Sequence, residues 1–222
     1  MGSRIRACIC AAAEYNLRDV AGKDVLEIGC AERSFGRAIV EASGGRWLSV
    51  DPNPESHRGA ESLRTYVGHA ASLPFADQSF DVVFGIQTLE HWEDENPGVT
   101  DCDYPRALAE IWRVLRPGGW VYFDAPIHLH GAAAFVRGDV PAIRGLFGTQ
   151  PWANVRLEGW RRLHRPLPAS RPPKKEIERW PARMTDGAAE DLADLTRRSV
   201  WLLTVRAEKP QSENLAPERG SG

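Results

Sequence analysis

Two places along the chain join an apolar run to a residue that can grip a nucleoside. Gly29 closes the run VLEI at Val25–Ile28, and a glycine there permits a tight turn whose backbone amides can face a ligand. Asp51 directly follows WLSV at Trp47–Val50. A carboxylate in that position can accept hydrogen bonds from both hydroxyls of a ribose, and bonds to a charged group contribute roughly 1.5–3 kcal/mol. The pair alone does not choose a cofactor, because dinucleotide-binding folds also place an acid downstream of a glycine turn. Proton chemistry would come from His91 in LEHW and from His128 or His130 in APIHLHG, since histidine trades protons near neutral pH. The HxH of 128 and 130, with Asp124 close in sequence, has the look of a metal motif, but no further ligand stands at a zinc-like spacing and no metal is expected. Asp101 and Asp103 read as a turn and helix start, where acids favour the positive end of the helix dipole.

These residues need a scaffold that brings strand ends together. From Val25 to Phe123 short β-branched runs alternate with helical stretches, the pattern of parallel βαβ units. Strands are expected at 24–28, 47–50, 65–67, 80–84 and 120–123. Helices are expected at 35–42, with Phe35, Ala38, Ile39 and Ala42 on one face, and at 104–115, with Tyr104, Leu108, Ile111 and Leu115 at helical spacing. The second helix is expected to stop at RPGG, where Pro117 cannot donate and Gly118 or Gly119 can turn left-handed. In an open parallel sheet, ligands sit beyond the carboxyl ends of the strands where strand order reverses, which is where Gly29 and Asp51 fall. Beyond Pro126 a strand is expected at 155–160, a helix at 188–195 and a buried strand within 199–210, with 161–180 a Pro-, Arg- and Lys-rich loop.

The specific stretches are LPFADQSFDVVFGIQTLEHW at 73–92 and ALAEIWRVLRPGGWVYFDAP at 107–126. With VLEIGC and Asp51, they resemble the class I S-adenosylmethionine-dependent methyltransferases, in particular the small-molecule, ubiquinone-biosynthesis-like branch. The resemblance covers about residues 15–126 and, more loosely, the last strand. It implies an α/β, Rossmann-like fold: a seven-stranded, mostly parallel sheet with helices on both faces and an antiparallel last strand. It also implies S-adenosylmethionine as cofactor. Glu27, Gly29 and the backbone through Ala31 would line its methionine end, Asp51 its ribose, and Pro52 and Asn53 its adenine border. Ala70 would meet the adenine edge through its backbone, and Gln87 would pack near the sulfonium. Ile127–His130 would face the acceptor, with His91 and His128 as candidate bases. Family members commonly carry glycine where this chain has Ala31 and Arg33, and often aspartate where it has His69. A neutral histidine ring nitrogen can still bond an adenine amine.

At 222 residues with 42% apolar composition, one domain with a full core is expected over 1–210, with 127–198 as an acceptor-side elaboration and 211–222 as a disordered tail. The formal charge of −2 provides no global attraction to nucleic acid or anionic lipid, and no nucleic-acid module is present. Arginines and lysines outnumber acids across 151–180, which would suit an anionic acceptor such as a sugar nucleotide, a glycan or a lipid headgroup, or else a solvated surface loop. Trp152, Trp160 and Trp180 interleave with them and would either stack on a ring or anchor the segment. Four scattered cysteines without CxxC spacing, a poor secretory signal and no apolar run of membrane length point to a cytoplasmic protein. The expected activity is methyl transfer to a small-molecule or glycan-type acceptor. A methyltransferase-like module without turnover and an NAD-dependent oxidoreductase are the alternatives.

Overall fold

The computed structural model describes residues 3–31, 35–53, 65–93, 102–163, 176–179 and 201–211. In chain order its strands are β1 (Asp24–Ile28), β2 (Arg46–Asp51), β3 (Thr65–Val67), β4 (Phe80–Ile86), β5 (Leu115–Ile127), β6 (Ala153–Leu163), β7 (Glu176–Arg179) and β8 (Trp201–Glu208). They form one sheet in the order β3-β2-β1-β4-β5-β8-β6-β7. Pairings among the first five strands are parallel, whereas β8 runs antiparallel to β5, β6 to β8, and β7 to β6. The chain therefore adopts the expected Rossmann-like mixed sheet, closed by an antiparallel strand and extended at the edge by the short β7. Strand order reverses at β1, which lies between β2 and β4, so a crevice opens beyond the ends of these three strands.

Alternation along the strands builds two cores. Leu26, Ile28, Val83, Val121, Phe123 and Val205 face α3 (Tyr104–Val114), α4 (Ala133–Arg137) and α5 (Val140–Leu146). Val25, Val82, Phe84, Tyr122 and Leu202 face α1 (Ser3–Asn16) and α2 (Phe35–Ala42). Full burial of each such side chain contributes roughly 1.5–3 kcal/mol. In α2 the buried positions are Gly36 and Val40 rather than the expected Ala38 and Ala42, which are exposed. A Cβ on Gly36 would lie 2.5 Å from the Glu27 carboxylate oxygens, so the helix lies on β1 through its glycine. Helix α3 ends at Val114, before RPGG, because Leu115 is already extended and pairs with Phe80. Gly118 still takes a left-handed φ of 77°, but inside the bulged start of β5. Residues 161–163 and 176–179, expected as loop, pair as antiparallel strands. The expected helix at 188–195 and residues 212–222 of the tail lie outside the described residues.

Arg113 joins α3 to the segment that leaves the crevice. Its Nε and Nη2 each donate to Glu110 at 2.8 Å, its Nη1 to the Phe75 carbonyl at 2.7 Å and Asp77 at 2.8 Å, and its Nη2 also to the Leu73 carbonyl at 3.1 Å. Glu110 in turn accepts from the Leu73 amide at 2.9 Å. The Arg113 hydrogen bonds hold the Glu110 carboxyl below its usual range. Glu110 thus contributes stability above the ordinary carboxylate pKa, and that contribution is lost as pH falls through the depressed value. The Arg113 side chain is 31% exposed, so Arg113→Ala is expected to lower stability by about 2–3 kcal/mol, near the low end for breaking a paired charge. Urea unfolding at pH 7 measures this as a lower midpoint at unchanged slope.

Candidate active site

A cavity of about 300 Å³ opens beyond the carboxyl ends of β1, β2 and β4. The expected Gly29, Ala31, Asp51, Pro52, His69, Ala70, Gln87 and His91 all line it. A larger hollow of about 720 Å³ lies at the opposite strand ends, around Asp24, Gly45 and Arg46, the end at which parallel sheets do not build ligand sites. Thr88, Trp92 and Cys102 are among the wall residues that the sequence reading did not include, beside the strand-end residues Ile28, Val50 and Ile86. Trp92 had a signal, since it completes the LEHW that follows β4. Cys102 reaches the wall from a distant segment, and burial pushes its thiol up to about 11, so it stays protonated at neutral pH.

Asp51 organises the floor. It is 4% exposed, and its two oxygens accept from the Ala31 amide at 2.7 Å and the Asn53 amide at 2.8 Å. Each carboxylate oxygen has two lone pairs, so one amide hydrogen bond does not exhaust it. Asn53 does not line the cavity and meets the site through this amide bond to Asp51. Ala31 has a left-handed φ of 48°, the conformation that glycine adopts without penalty; the alanine costs roughly 1–2 kcal/mol, which the short bond to Asp51 offsets. Arg33 lies outside the described residues.

Gln87 is held in a similar left-handed conformation, φ 53°, by Asp124, whose carbonyl and Oδ1 accept from the Gln87 amide at 3.1 and 3.0 Å. Asp124 also accepts from the Tyr122 hydroxyl at 2.7 Å, and the positions that give it these bonds take it out of any metal set with His128. Burial, with the Asp124 charge adding to it, raises the Tyr122 hydroxyl well above its usual range, so it remains a donor.

Two more expected residues lie elsewhere. Glu27 alternates away from Leu26 and Ile28 into the opposite core, where it accepts from Trp47 Nε1 at 2.7 Å. The His128 ring lies on Gly138, where a Cβ would sit 2.4 Å from its Cε1, and Nδ1 is 3.3 Å from the Val136 carbonyl. Neither lines the cavity. Asp103 caps α3 by accepting from the Arg106 amide at 2.8 Å, a helix start as expected, whereas Asp101 and Trp180 lie outside the described residues. Trp152 packs edge-on against Trp112 at 4.8 Å, and Trp160 donates to Thr204 at 3.2 Å, so both anchor β6 to the body.

A family model described as a methyltransferase domain matches residues 26–123, the span that carries β2 through β4, most of β1 and β5, and every residue that lines the cavity. Residues 26–123 are a class I S-adenosylmethionine-dependent methyltransferase domain. The domain is 34% identical over 110 residues to a probable S-adenosylmethionine-dependent methyltransferase of Mycolicibacterium smegmatis, covering 48% of this chain and 39% of that protein. It is 32% identical over 111 residues to the phthiotriol/phenolphthiotriol dimycocerosates methyltransferase of Mycobacterium leprae, covering 46% and 37%. The chain thus spans about two fifths of the length of the curated relatives it matches. A crystal structure of an S-adenosylmethionine-dependent methyltransferase from Archaeoglobus fulgidus superposes with a TM-score of 0.58 at 14% identity, over 92% of this chain and 94% of that one; at that identity the likeness shows the fold.

The cofactor of this family is S-adenosylmethionine, and the polar atoms of the cavity fit it. The amide nitrogen and oxygen of Gln87 and Nδ1 of His69 are buried and have no hydrogen-bond partner among the described residues. Each such atom costs about 1–3 kcal/mol while it stays unsatisfied. A ligand with a purine edge, a diol and an amino-acid end would satisfy all three from within the cavity. No helix among the described residues is long and apolar enough to cross a membrane.

Proposed function

We propose that this chain binds S-adenosylmethionine in the crevice at β1, β2 and β4 and methylates a small-molecule or glycan-type acceptor. The observation that carries this reading is the set of unsatisfied polar atoms on Gln87 and His69 beside the Asp51 carboxylate. When bound, the cofactor supplies a methyl group already activated on a sulfonium, which leaves positioning of the acceptor as the protein's main task. Asp51 takes the ribose hydroxyls, Pro52 and Asn53 border the adenine, and His69 and Ala70 bond its edge. Gly29 and Ala31, whose amides donate to the Val50 carbonyl and to Asp51, shape the turn that leaves room for the methionine end. Gln87 donates and accepts beside the sulfonium. His91, which lines the same cavity with its side chain 44% exposed, stands where an acceptor proton would leave. His128 supports the loop after β5 from outside the cavity.

The segment after Pro126 is proposed as the acceptor side. The Mycobacterium leprae relative is named for phthiotriol and phenolphthiotriol dimycocerosates, which supports a small-molecule or lipid acceptor over nucleic acid. The basic residues of 151–180 favour one bearing an anion; of these, Arg156 lies exposed on β6. Thermal shift is the first test. S-adenosylhomocysteine at a hundredfold over its Kd is expected to stabilise the protein by about 2.7 kcal/mol, with NADH giving no shift. Stabilisation by NADH alone would reverse the assignment, and stabilisation by neither would leave a fold without its cofactor.

A further inference from the structure

A second cluster lies against the cavity wall. Glu90 and His91 belong to the one-turn helix Leu89–His91 that follows β4, and His130 to the loop that follows β5. One ligand atom from each of the three lies within 4.8 Å of those from the other two. Glu90 Oε1 is 3.9 Å from His91 Nε2, and the rings of His91 and His130 stand 5.1 Å apart, tilted by 32°. Glu90 is fully buried and His91 opens onto the cavity.

The loop carrying His130 is fixed to Glu90 by its backbone. The Ala132 amide donates to the Glu90 carbonyl at 2.7 Å. Gly131 has φ 97°, and a Cβ there would stand 2.5 Å from that same carbonyl. Only glycine permits this approach, so the chain spends a special residue to set His130 opposite Glu90.

We propose that Glu90, His91 and His130 form a site for a divalent transition cation of the zinc class. Two imidazoles and a carboxylate are a donor set that zinc accepts, with three protein ligands leaving a fourth position open. At bond lengths of about 2.0–2.2 Å, tetrahedral ligand atoms stand roughly 3.3 Å apart. The 3.9 Å pair needs a small closure, and the widest separation about 1.5 Å, within the reach of side-chain rotation. A carboxylate wholly withdrawn from water is stabilised by a cation at close range, and a divalent ion provides one. The open position would face the cavity through His91. An acceptor hydroxyl held there would lose its proton to solvent more readily, with His91 serving as a ligand rather than taking that proton, which makes the ion an acceptor-binding element. That last role rests on the proposed methyl transfer; the binding of the ion does not.

The test is calorimetric titration of zinc, with cobalt(II) absorption as a second probe, into metal-stripped full-length protein carrying no histidine tag. One equivalent is expected to bind. Glu90→Gln and His130→Ala are each expected to weaken it at least tenfold, His128→Ala to leave it unchanged, and Gly131→Ala to weaken it although every ligand remains. S-adenosylhomocysteine affinity, measured on each variant, reports whether the fold survives. Wild-type protein that binds S-adenosylhomocysteine but no stoichiometric zinc overturns the metal site and leaves the cofactor reading standing. Zinc binding without S-adenosylhomocysteine binding does the reverse. Folded Glu90→Gln and His130→Ala proteins that keep wild-type zinc affinity also overturn the site.

Discussion

Asp51→Ala is expected to weaken S-adenosylhomocysteine binding by about a hundredfold. The substitution removes two acceptors for the ribose diol, each bond contributing roughly 1.5–3 kcal/mol, and a loss of about 2.7 kcal/mol corresponds to a hundredfold. It also releases the Ala31 and Asn53 amides, which unfastens the left-handed turn that shapes the floor. Asp51→Asn keeps one acceptor oxygen and exchanges the other for a donor, so a smaller loss of about tenfold is expected. Isothermal titration measures both. An unchanged dissociation constant in the alanine variant would place the ribose elsewhere.

Gly29→Ala is expected to lower stability by about 2–4 kcal/mol and to reduce cofactor affinity in the protein that still folds. Two effects combine at this position. The residue has φ 72°, and a Cβ would stand 2.4 Å from Thr88 Oγ1. Thr88 is buried and donates to the Ile28 carbonyl at 3.0 Å, so yielding to the new methyl breaks a bond between β1 and the end of β4. Its neighbour Gln87 would move with it. Gly22 separates the two effects, because it has the same φ of 72° and no atom within 4 Å of a Cβ. Gly22→Ala is expected to cost only the conformational part, about 1–2 kcal/mol. Urea unfolding of both variants gives the difference, and equal losses would mean that Thr88 packing does not hold the turn.

The parts of this site legible in the sequence are those that follow directly from a strand end. Gly29, Asp51 and Gln87 each sit immediately after an apolar run, and in a parallel sheet such positions gather at one edge regardless of the intervening chain. Glu27 was misplaced even though alternation argues against it, since it is one residue out of phase with Leu26 and Ile28 and must point to the opposite face. The stripe of α1 is made of Ile5, Cys8, Ile9, Ala12 and Ala13, where small residues blur the contrast that marks an amphipathic helix. The two histidines of HLH separate for a backbone reason: His128 has φ 59°, which turns its ring toward Gly138 while His130 swings to Glu90. No periodicity encodes such a turn, and the approach of Gly131 to the Glu90 carbonyl, far earlier in the chain, is visible only in three dimensions.

The most direct measurement is a crystal structure of the protein soaked with S-adenosylhomocysteine. Nucleoside density is expected in the 300 Å³ cavity, with the ribose hydroxyls on Asp51, the purine edge at His69 and Ala70, and the sulfur beside Gln87. A cavity that stays empty at saturating ligand, or a nucleoside bound away from Asp51, would contradict the account.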